Sequence, residues 1–348
     1  MDTHHSKILC TLCPVVIIML LGLQFYYNTS SYRYHKSSFF KHITFGKTEC
    51  PNCTTYESFY GKNVVQILAI PTRPTKNIFI CYLNMSSLGP ISVNKTRLEL
   101  EWVEKQHPQV KSGGSYAPNN CHSRHKIAIL VPYRNRETNL IIFLYYIHTL
   151  LMKQLLEYRI FVIEQCAKDK FNKGTLFNIG FLESQRYGSW HCYIFHDVDL
   201  IPLDERILYH CPMNPTHMSA AVENHGFQTP YLQLFGGVTA LTTAQYIAIN
   251  GYSNEYWNWG AEDDDIFIRL QARRFPVRRY NQSIARYAAL PHEPNYINYN
   301  RQKTLSKAKR RFWQEGLKSV KYRLLNKTNR KLFTHIVADV NPLNIEVK

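Results

Sequence analysis

The sequence predicts an α/β protein whose parallel sheet binds a nucleotide, carried behind an N-terminal membrane anchor and a stem. Three observations point there. Residues 8–27 are mostly apolar and uncharged. From Cys121 onward, short apolar runs alternate with segments of helical period. Two acidic clusters, Asp197-Val198-Asp199 and Glu262-Asp263-Asp264-Asp265, follow the third apolar run.

The apolar run of residues 8–27 is densest from Val15 to Leu21, is preceded by Lys7, and is about the length that crosses a bilayer. A cleaved signal peptide is the rival reading. No small-residue cleavage motif follows, however, and Tyr26, Tyr27 and Asn28 stand there instead. The expected organisation is a cytoplasmic tail (1–7), a transmembrane signal anchor (8–27), a stem (28–80) and a lumenal domain (81–348) with a basic C-terminal segment. The stem is rich in Ser, Thr, Asn, Pro and Lys with little periodicity. Asn28, Asn52, Asn84, Asn94, Asn281 and Asn326 each open an N-x-S/T triplet, in agreement with a lumenal side. Cys50 and Cys53 form a C-x-x-C pair with no second pair to complete a zinc site, so stem disulfides or linkage to another chain are expected.

At 348 residues the chain can bury a large core without staples. Its formal charge of +17 raises the question of nucleic acid. Twelve of the 42 basic residues lie between Arg301 and Lys331, and no zinc-finger, RRM or helix-turn-helix pattern accompanies them. The charge is therefore read as favouring anionic ligands or an anionic membrane surface, with no nucleic-acid partner.

Lys126–Val131 is a short apolar run ending at Pro132, of the kind buried in a parallel sheet. Asn135 is positioned to cap a helix whose Leu140, Phe143, Leu144, Ile147 and Leu151 follow the 3.6 period. Arg159–Glu164 reads as a second strand, Asn172 as the cap of a second helix reaching about Glu183, and His191–Phe195 as a third strand. No G-x-G-x-x-G follows the first strand, which argues against a dinucleotide. Ligands of open α/β sheets bind beyond the carboxyl ends of the strands. There stand Asp197 and Asp199, which an extended segment would point to one face. Hard oxygen ligands of this kind suit Mn²⁺ or Mg²⁺ on a diphosphate.

The run Trp257-Asn258-Trp259-Gly260-Ala261-Glu262-Asp263-Asp264-Asp265 is an electrostatic liability, since clustered carboxylates raise one another's pKa values. A solvated acidic turn is the plain explanation. A site beside sugar-stacking aromatic rings is the functional one.

Taken together, Val131-Pro132-Tyr133-Arg134-Asn135-Arg136, Phe171-Asn172-Lys173 with Asn178-Ile179-Gly180-Phe181, Asp197 to Pro202, Phe235-Gly236-Gly237-Val238 and Trp257 to Asp265 resemble the beta-1,4-galactosyltransferase family. The resemblance runs from about Cys81 to Lys303. It implies a GT-A, Rossmann-like nucleotide-sugar-binding fold and inverting transfer from a UDP donor to the 4-hydroxyl of terminal GlcNAc, in a Golgi type II membrane protein. By position it assigns Pro132, Tyr133, Arg134, Arg136, Phe171, Lys173, Asp197, Val198, Leu234, Gly237 and Trp259 to the donor. Gly260, Glu262 and Asp264 fall to the acceptor, and Asp263 to the catalytic base. Asp199 and His292 fall to a metal, Mn²⁺ or another divalent ion, and Trp259 to a closing lid. It also implies disulfides Cys81–Cys121 and Cys192–Cys211, leaving Cys166 free.

Two departures matter. Leu234 stands where galactose-specific members carry Tyr, and a leucine leaves room for the 2-acetamido group of UDP-GalNAc; UDP-Gal is the other donor. Ala289 stands where the family has a Met ligand, so one protein ligand is missing if the ungapped register from Asp263 holds. The segment through Tyr296, Tyr299 and Arg301 matches the family poorly, which leaves the acceptor open between GlcNAc-terminated glycoproteins or glycolipids and another sugar such as xylose or glucose. A membrane-anchored lectin-like protein without turnover is the rival of a different class.

Overall fold

The computed structural model describes residues 79–166, 170–293 and 296–340. The expected anchor, nearly all of the stem, the Cys50–Cys53 pair and the sequons at Asn28 and Asn52 lie outside them. Among the described residues no helix is long and apolar enough to cross a membrane.

The chain builds α1 (Leu100–Gln106), β1 (Ser115–Tyr116), β2 (Lys126–Tyr133), α2 (Glu137–Lys153), β3 (Glu157–Gln165), α3 (Lys173–Ser184), β4 (Cys192–His196) and β5 (Leu200–Pro202). There follow β6 (Thr216–His217), β7 (Ala221–Val222), β8 (Val238–Thr242), α4 (Thr243–Ala248), α5 (Glu262–Ala272), β9 (Arg278–Arg279) and β10 (Arg286–Ala289). The last elements are α6 (Arg301–Leu305), α7 (Ala308–Arg311), β11 (Arg323–Asn329) and β12 (Thr334–Asp339). The main sheet has the order β11-β12-β3-β2-β4-β8-β6-β9, with β1 on β3. Its centre, β12, β3, β2 and β4, is parallel, and β8 joins β4 antiparallel.

Alternation along β2 explains the layers. Ile127, Ile129 and Val131 pack into one core with Leu140, Phe143, Leu144, Ile147 and Leu151 of α2. Ala128 and Leu130, one residue out of phase, pack into a second core with Leu176, Phe177, Ile179 and Phe181 of α3. Helices thus cover both faces, which is why the strands read as unbroken apolar runs rather than alternating ones. Truncating a ring such as fully buried Phe143 to Ala should cost about 3–5 kcal/mol.

The three expected strands and both helices are present, and Asn172 caps α3 by accepting from Thr175 N–H at 2.9 Å. Two local expectations need correction. Asn135 does not cap α2: it adopts a left-handed φ of 52°, and Arg136 takes the cap position without a side-chain hydrogen bond. Asp197-Val198-Asp199 is not extended either. β4 ends at His196 and the chain turns, with Leu200 N–H donating to Asp197 O at 3.3 Å, so strand alternation is not what places the two carboxylates.

A small sheet, β5-β10-β7, positions the far side of the site. Ala289 of β10 pairs with Leu200 of β5, and Leu290 N–H donates to Asp199 O at 2.8 Å. This register carries His292 back onto Asp199. The bridges are Cys81–Cys121 and Cys192–Cys211, with Cα separations of 4.9 and 5.3 Å, and Cys166 is free and exposed. The second bridge ties the first residue of β4, the strand that leads into Asp197.

Candidate active site

The carboxyl ends of β2 and β4 and the N-terminus of α3 bring together alternating charges. Lys173, the first residue of α3, lies 2.7 Å from Asp197 Oδ1 and 3.6 Å from Glu262 Oε1. Burial works against its charge, but the two carboxylates outweigh it and hold the ammonium well above the usual lysine range. Arg136 Nη1 donates to Asp199 Oδ2 at 2.9 Å, and His292 Nε2 lies 3.0 Å from the same oxygen. Burial pushes Asp199 up, yet the His292 hydrogen bond and the Arg136 charge prevail and leave its carboxyl below the ordinary range. His292 in turn is raised, chiefly by its bond to Asp199.

Asp199 and His292 bring a carboxylate oxygen and an imidazole nitrogen within 3.0 Å of each other, and the Arg136 guanidinium holds the same carboxylate oxygen. That donor pair fits a divalent metal. Among the described residues no third His, Cys, Asp or Glu completes a cluster. Ala289 is buried in β10, and its N–H donates to Glu223 Oε2 at 3.0 Å.

Pro132 and Tyr133 end β2, and Arg134 stacks over Phe171 with its guanidinium carbon 5.1 Å from the ring centroid. Val198 is packed in the core beneath the turn. Gly237 O accepts from Asp197 N–H at 3.1 Å. Half-buried Leu234 gives its carbonyl to Arg279 Nη2 at 2.7 Å.

The acidic run splits into distinct environments because it forms the first turn of α5. Four carboxylates there are tolerated partly by the positive end of the helix dipole. Asp265 points into the core, where Arg269 Nε donates to Oδ1 at 2.5 Å while Arg311 and Tyr256 donate to Oδ2 at 2.7 and 2.9 Å. Arg269 is fully buried and also donates to Glu315 Oε2 at 2.8 Å and to the carbonyls of Asn250 and Gly251. Asp265 is thus structural.

Asp263 is different. It has no ion pair among the described residues. Burial first, and then the neighbouring charges of Glu262 and Asp264, push its carboxyl up to about 7. Gly236 leaves the space it occupies: a Cβ there would stand 2.6 Å from Asp263 Oδ2. Asp264 accepts from Tyr231 Oη at 3.0 Å. Burial raises its pKa, with a smaller contribution from Glu262. Glu262 Oε2 is buried with no hydrogen-bond partner among the described residues.

The loop before α5 is conformationally strained, with Asn258, Gly260 and Ala261 at φ values of 67°, 117° and 73°. It carries Trp259, which is 53% exposed. Asn258 N–H donates to Phe171 O at 2.7 Å, which ties this loop to the donor side. Tyr231 was not singled out by sequence reasoning; it stands in no recognisable pattern and reaches Asp264 only through tertiary packing. Arg301 was named only as part of a segment that matches the family poorly.

The carboxyl ends of the parallel strands thus carry Lys173 and Arg136 against Asp197 and Asp199, with the raised carboxyl of Asp263 on neighbouring α5. Comparison with known proteins identifies the group. Residues 81–212 match the N-terminal region of glycosyl transferase group 7, and residues 216–293 match the N-terminal domain of galactosyltransferase. The chain is 41% identical over 280 residues to human (Homo sapiens) beta-1,4-galactosyltransferase 1, covering 78% of this chain and 68% of that protein. It is 38% identical over 281 residues to the mouse (Mus musculus) protein of that name, covering 79% and 68%. The fold is similar to the catalytic domain of Drosophila beta-1,4-galactosyltransferase 7 in complex with xylobiose, with a TM-score of 0.53 and 27% identity over 62% of this chain and 93% of that one. A mutant of the same enzyme, similar at a TM-score of 0.53 and 26% identity over the same shares, was solved with manganese, UDP-Gal and xylobiose. The chain belongs to the beta-1,4-galactosyltransferase family and is a UDP-sugar-dependent glycosyltransferase.

Proposed function

We propose that the protein moves N-acetylgalactosamine, or galactose, from a UDP donor in beta-1,4 linkage to terminal GlcNAc of a glycoprotein or glycolipid, with inversion, in the Golgi lumen. One observation carries this reading: Asp263, a buried carboxylate with no ion pair among the described residues, has a pKa pushed up to about 7. A group so poised takes the acceptor hydroxyl proton as that hydroxyl attacks the anomeric carbon, a contribution of about 10²- to 10⁴-fold. Glu262 and Asp264 bind and orient the acceptor, and Gly260 gives the strained loop its turn.

Arg134, Arg136 and Lys173 supply planar and point charges to the diphosphate. Their prepositioning stabilises the negative charge that develops on the departing UDP. Asp199 and His292 would hold Mn²⁺ or another divalent ion, which supplies Lewis-acid stabilisation of the same charge. Trp259, exposed on its strained loop, is the side chain to cover the donor and exclude water.

Leu234 supports UDP-GalNAc over UDP-Gal. It lies two residues before Gly236, which abuts the base, and an aliphatic side chain leaves room for an acetamido group. The signal-anchor and lumenal reading is supported by four exposed sequons, at Asn84, Asn94, Asn281 and Asn326. The test is transfer by the full-length chain from UDP-GalNAc and UDP-Gal to free GlcNAc with Mn²⁺ present. Turnover faster with UDP-GalNAc, shifted toward UDP-Gal by Leu234→Tyr, is expected. Binding of GlcNAc without transfer from either donor would instead indicate a lectin.

A further inference from the structure

At the amino ends of β2 and β3, the end of the sheet opposite the cleft, lies a cavity of about 220 Å³. Lys126 opens β2, seven residue steps before Tyr133 at its other end, so about 3.3 Å per step sets the cavity roughly 23 Å from the cleft. Three cations, Lys111, Lys126 and Arg159, line it against one carboxylate, Glu157. That carboxylate is already engaged, 3.2 Å from the Lys126 ammonium. Lys111 is exposed and has no ion pair among the described residues. Arg159 is half-buried, and its partners are neutral. Nε donates to Thr334 Oγ1 at 2.8 Å and Nη2 to Asn329 Oδ1 at 3.0 Å, while Nη1 has no hydrogen-bond partner among the described residues. Burial pulls the guanidinium below its usual range, and only Tyr187 opposes that. The Tyr187 ring centroid lies 4.0 Å from the guanidinium carbon, and the Trp190 ring centroid 5.3 Å from the Lys126 ammonium, both within cation–π range. The loop over Arg159 is shaped to it: Gly113 sits at a φ of 86°, and a Cβ there would overlap Arg159 Nη2.

We propose that this cavity is a second, non-catalytic binding site for one anionic sugar unit, its carboxylate or sulfate on Arg159 Nη1 and Lys111 and its ring against Tyr116. A guanidinium without a counter-charge matches either anion, because both present oxygens to its N–H groups. Tyr116 lines the cavity and gives the ring an apolar face, and Ser115 beside it supplies a hydroxyl partner. The volume falls below the roughly 300–1,000 Å³ that enclose a drug-sized ligand, so the cavity takes one ring and not a nucleotide sugar. Its distance from the cleft makes the ligand a separate branch of a glycan rather than the reacting sugar. The site goes beyond the transferase reading and stands whether or not that reading does.

The test is isothermal titration of the full-length chain with glucuronate and with GlcNAc 6-sulfate, against glucose and acetate, while saturating UDP, Mn²⁺ and GlcNAc fill the cleft. At least one anionic sugar should bind about tenfold or more tighter than glucose and acetate, and which one does so names the charge. Arg159→Gln should weaken that binding about tenfold or more, the usual size of a lost charged hydrogen bond. Lys111→Gln, at an exposed position that carries no fold risk, should weaken it about two- to fivefold. Glu157→Gln keeps an acceptor oxygen and removes a like charge, so it should tighten binding by about as much. Failure of both anionic sugars to bind overturns the proposal. Affinity for acetate equal to theirs overturns it as well, since only a bare anion site would remain, and so does equal affinity for glucose, since charge would not be read. Binding unmoved by both Lys111→Gln and Glu157→Gln, with a loss in Arg159→Gln that comes with a lowered melting temperature, would make Arg159 only a brace between β3 and β12.

Discussion

At the carboxyl end of β4 each acid faces a cation at hydrogen-bond distance, Asp197 with Lys173 at 2.7 Å and Asp199 with Arg136 at 2.9 Å. Asp263 has no ion pair among the described residues; burial, Glu262 and Asp264 raise its carboxyl, and the Lys173 charge opposes them more weakly. The half proposed for the donor stands on the ends of β2 and β4 and the start of α3, all buried in a two-faced core. The half proposed for the acceptor stands on the first turn of α5 and a loop with three residues in left-handed conformation. The contrast suits the two tasks. A diphosphate needs preplaced positive charge, whereas a base needs a carboxylate kept partly protonated near neutrality. Asp265, two residues beyond Asp263 and ion-paired to Arg269 and Arg311, shows the same residue type converted to a structural role by compensation alone.

If that half works through one raised-pKa base, Asp263→Asn should lower kcat about 10²- to 10⁴-fold while the melting temperature near neutral pH is no lower than that of wild type. A loss confined to KM would break the contrast. Arg269→Met removes the compensation of Asp265 and part of that of Glu315, and should destabilise the fold by about 3–5 kcal/mol, read by denaturant unfolding. Stability within error of wild type would mean that the buried network is not what holds α5.

On the donor side, His292→Ala should weaken Mn²⁺ binding about tenfold or more by isothermal titration. Affinity unchanged from wild type would remove His292 as a ligand. The smallest effect expected is electrostatic. Glu262→Gln removes a like charge beside Asp263, so the acidic limb of the pH–rate profile should move below that of wild type. A limb that stays in place would mean that burial and Asp264, without Glu262, raise this carboxyl.

The central sheet was legible in the sequence because its strands are buried on both faces and α2 carries a clear 3.6 period, whereas α3 is buried almost all round and was legible from its cap. Asn172 read correctly as a cap, since its side chain does what its residue type prefers. Asn135 misled because Asn is also a favoured residue for positive φ, and it takes that role here. The Asp197-Val198-Asp199 turn misled because a period-two argument holds only while the strand lasts. Tyr231 was not visible at all, because it lies 33 residues in sequence from Asp264, to which it donates, and only the folded loops bring the two together.

The claim that most needs testing is that Asp263 is the base, and the pH dependence of kcat/KM for transfer from about pH 5 to about pH 9 tests it. A base acts only when deprotonated, so activity should fall as pH drops through about 7 and level off above it. The same group lowers stability as pH rises toward 7, because folded Asp263 still holds a proton that the unfolded chain has released. The account predicts an acidic limb near 7 in wild type and its disappearance from the residual activity of Asp263→Asn. A wild-type profile flat down to about pH 5, or an unmoved limb in the variant, would contradict it.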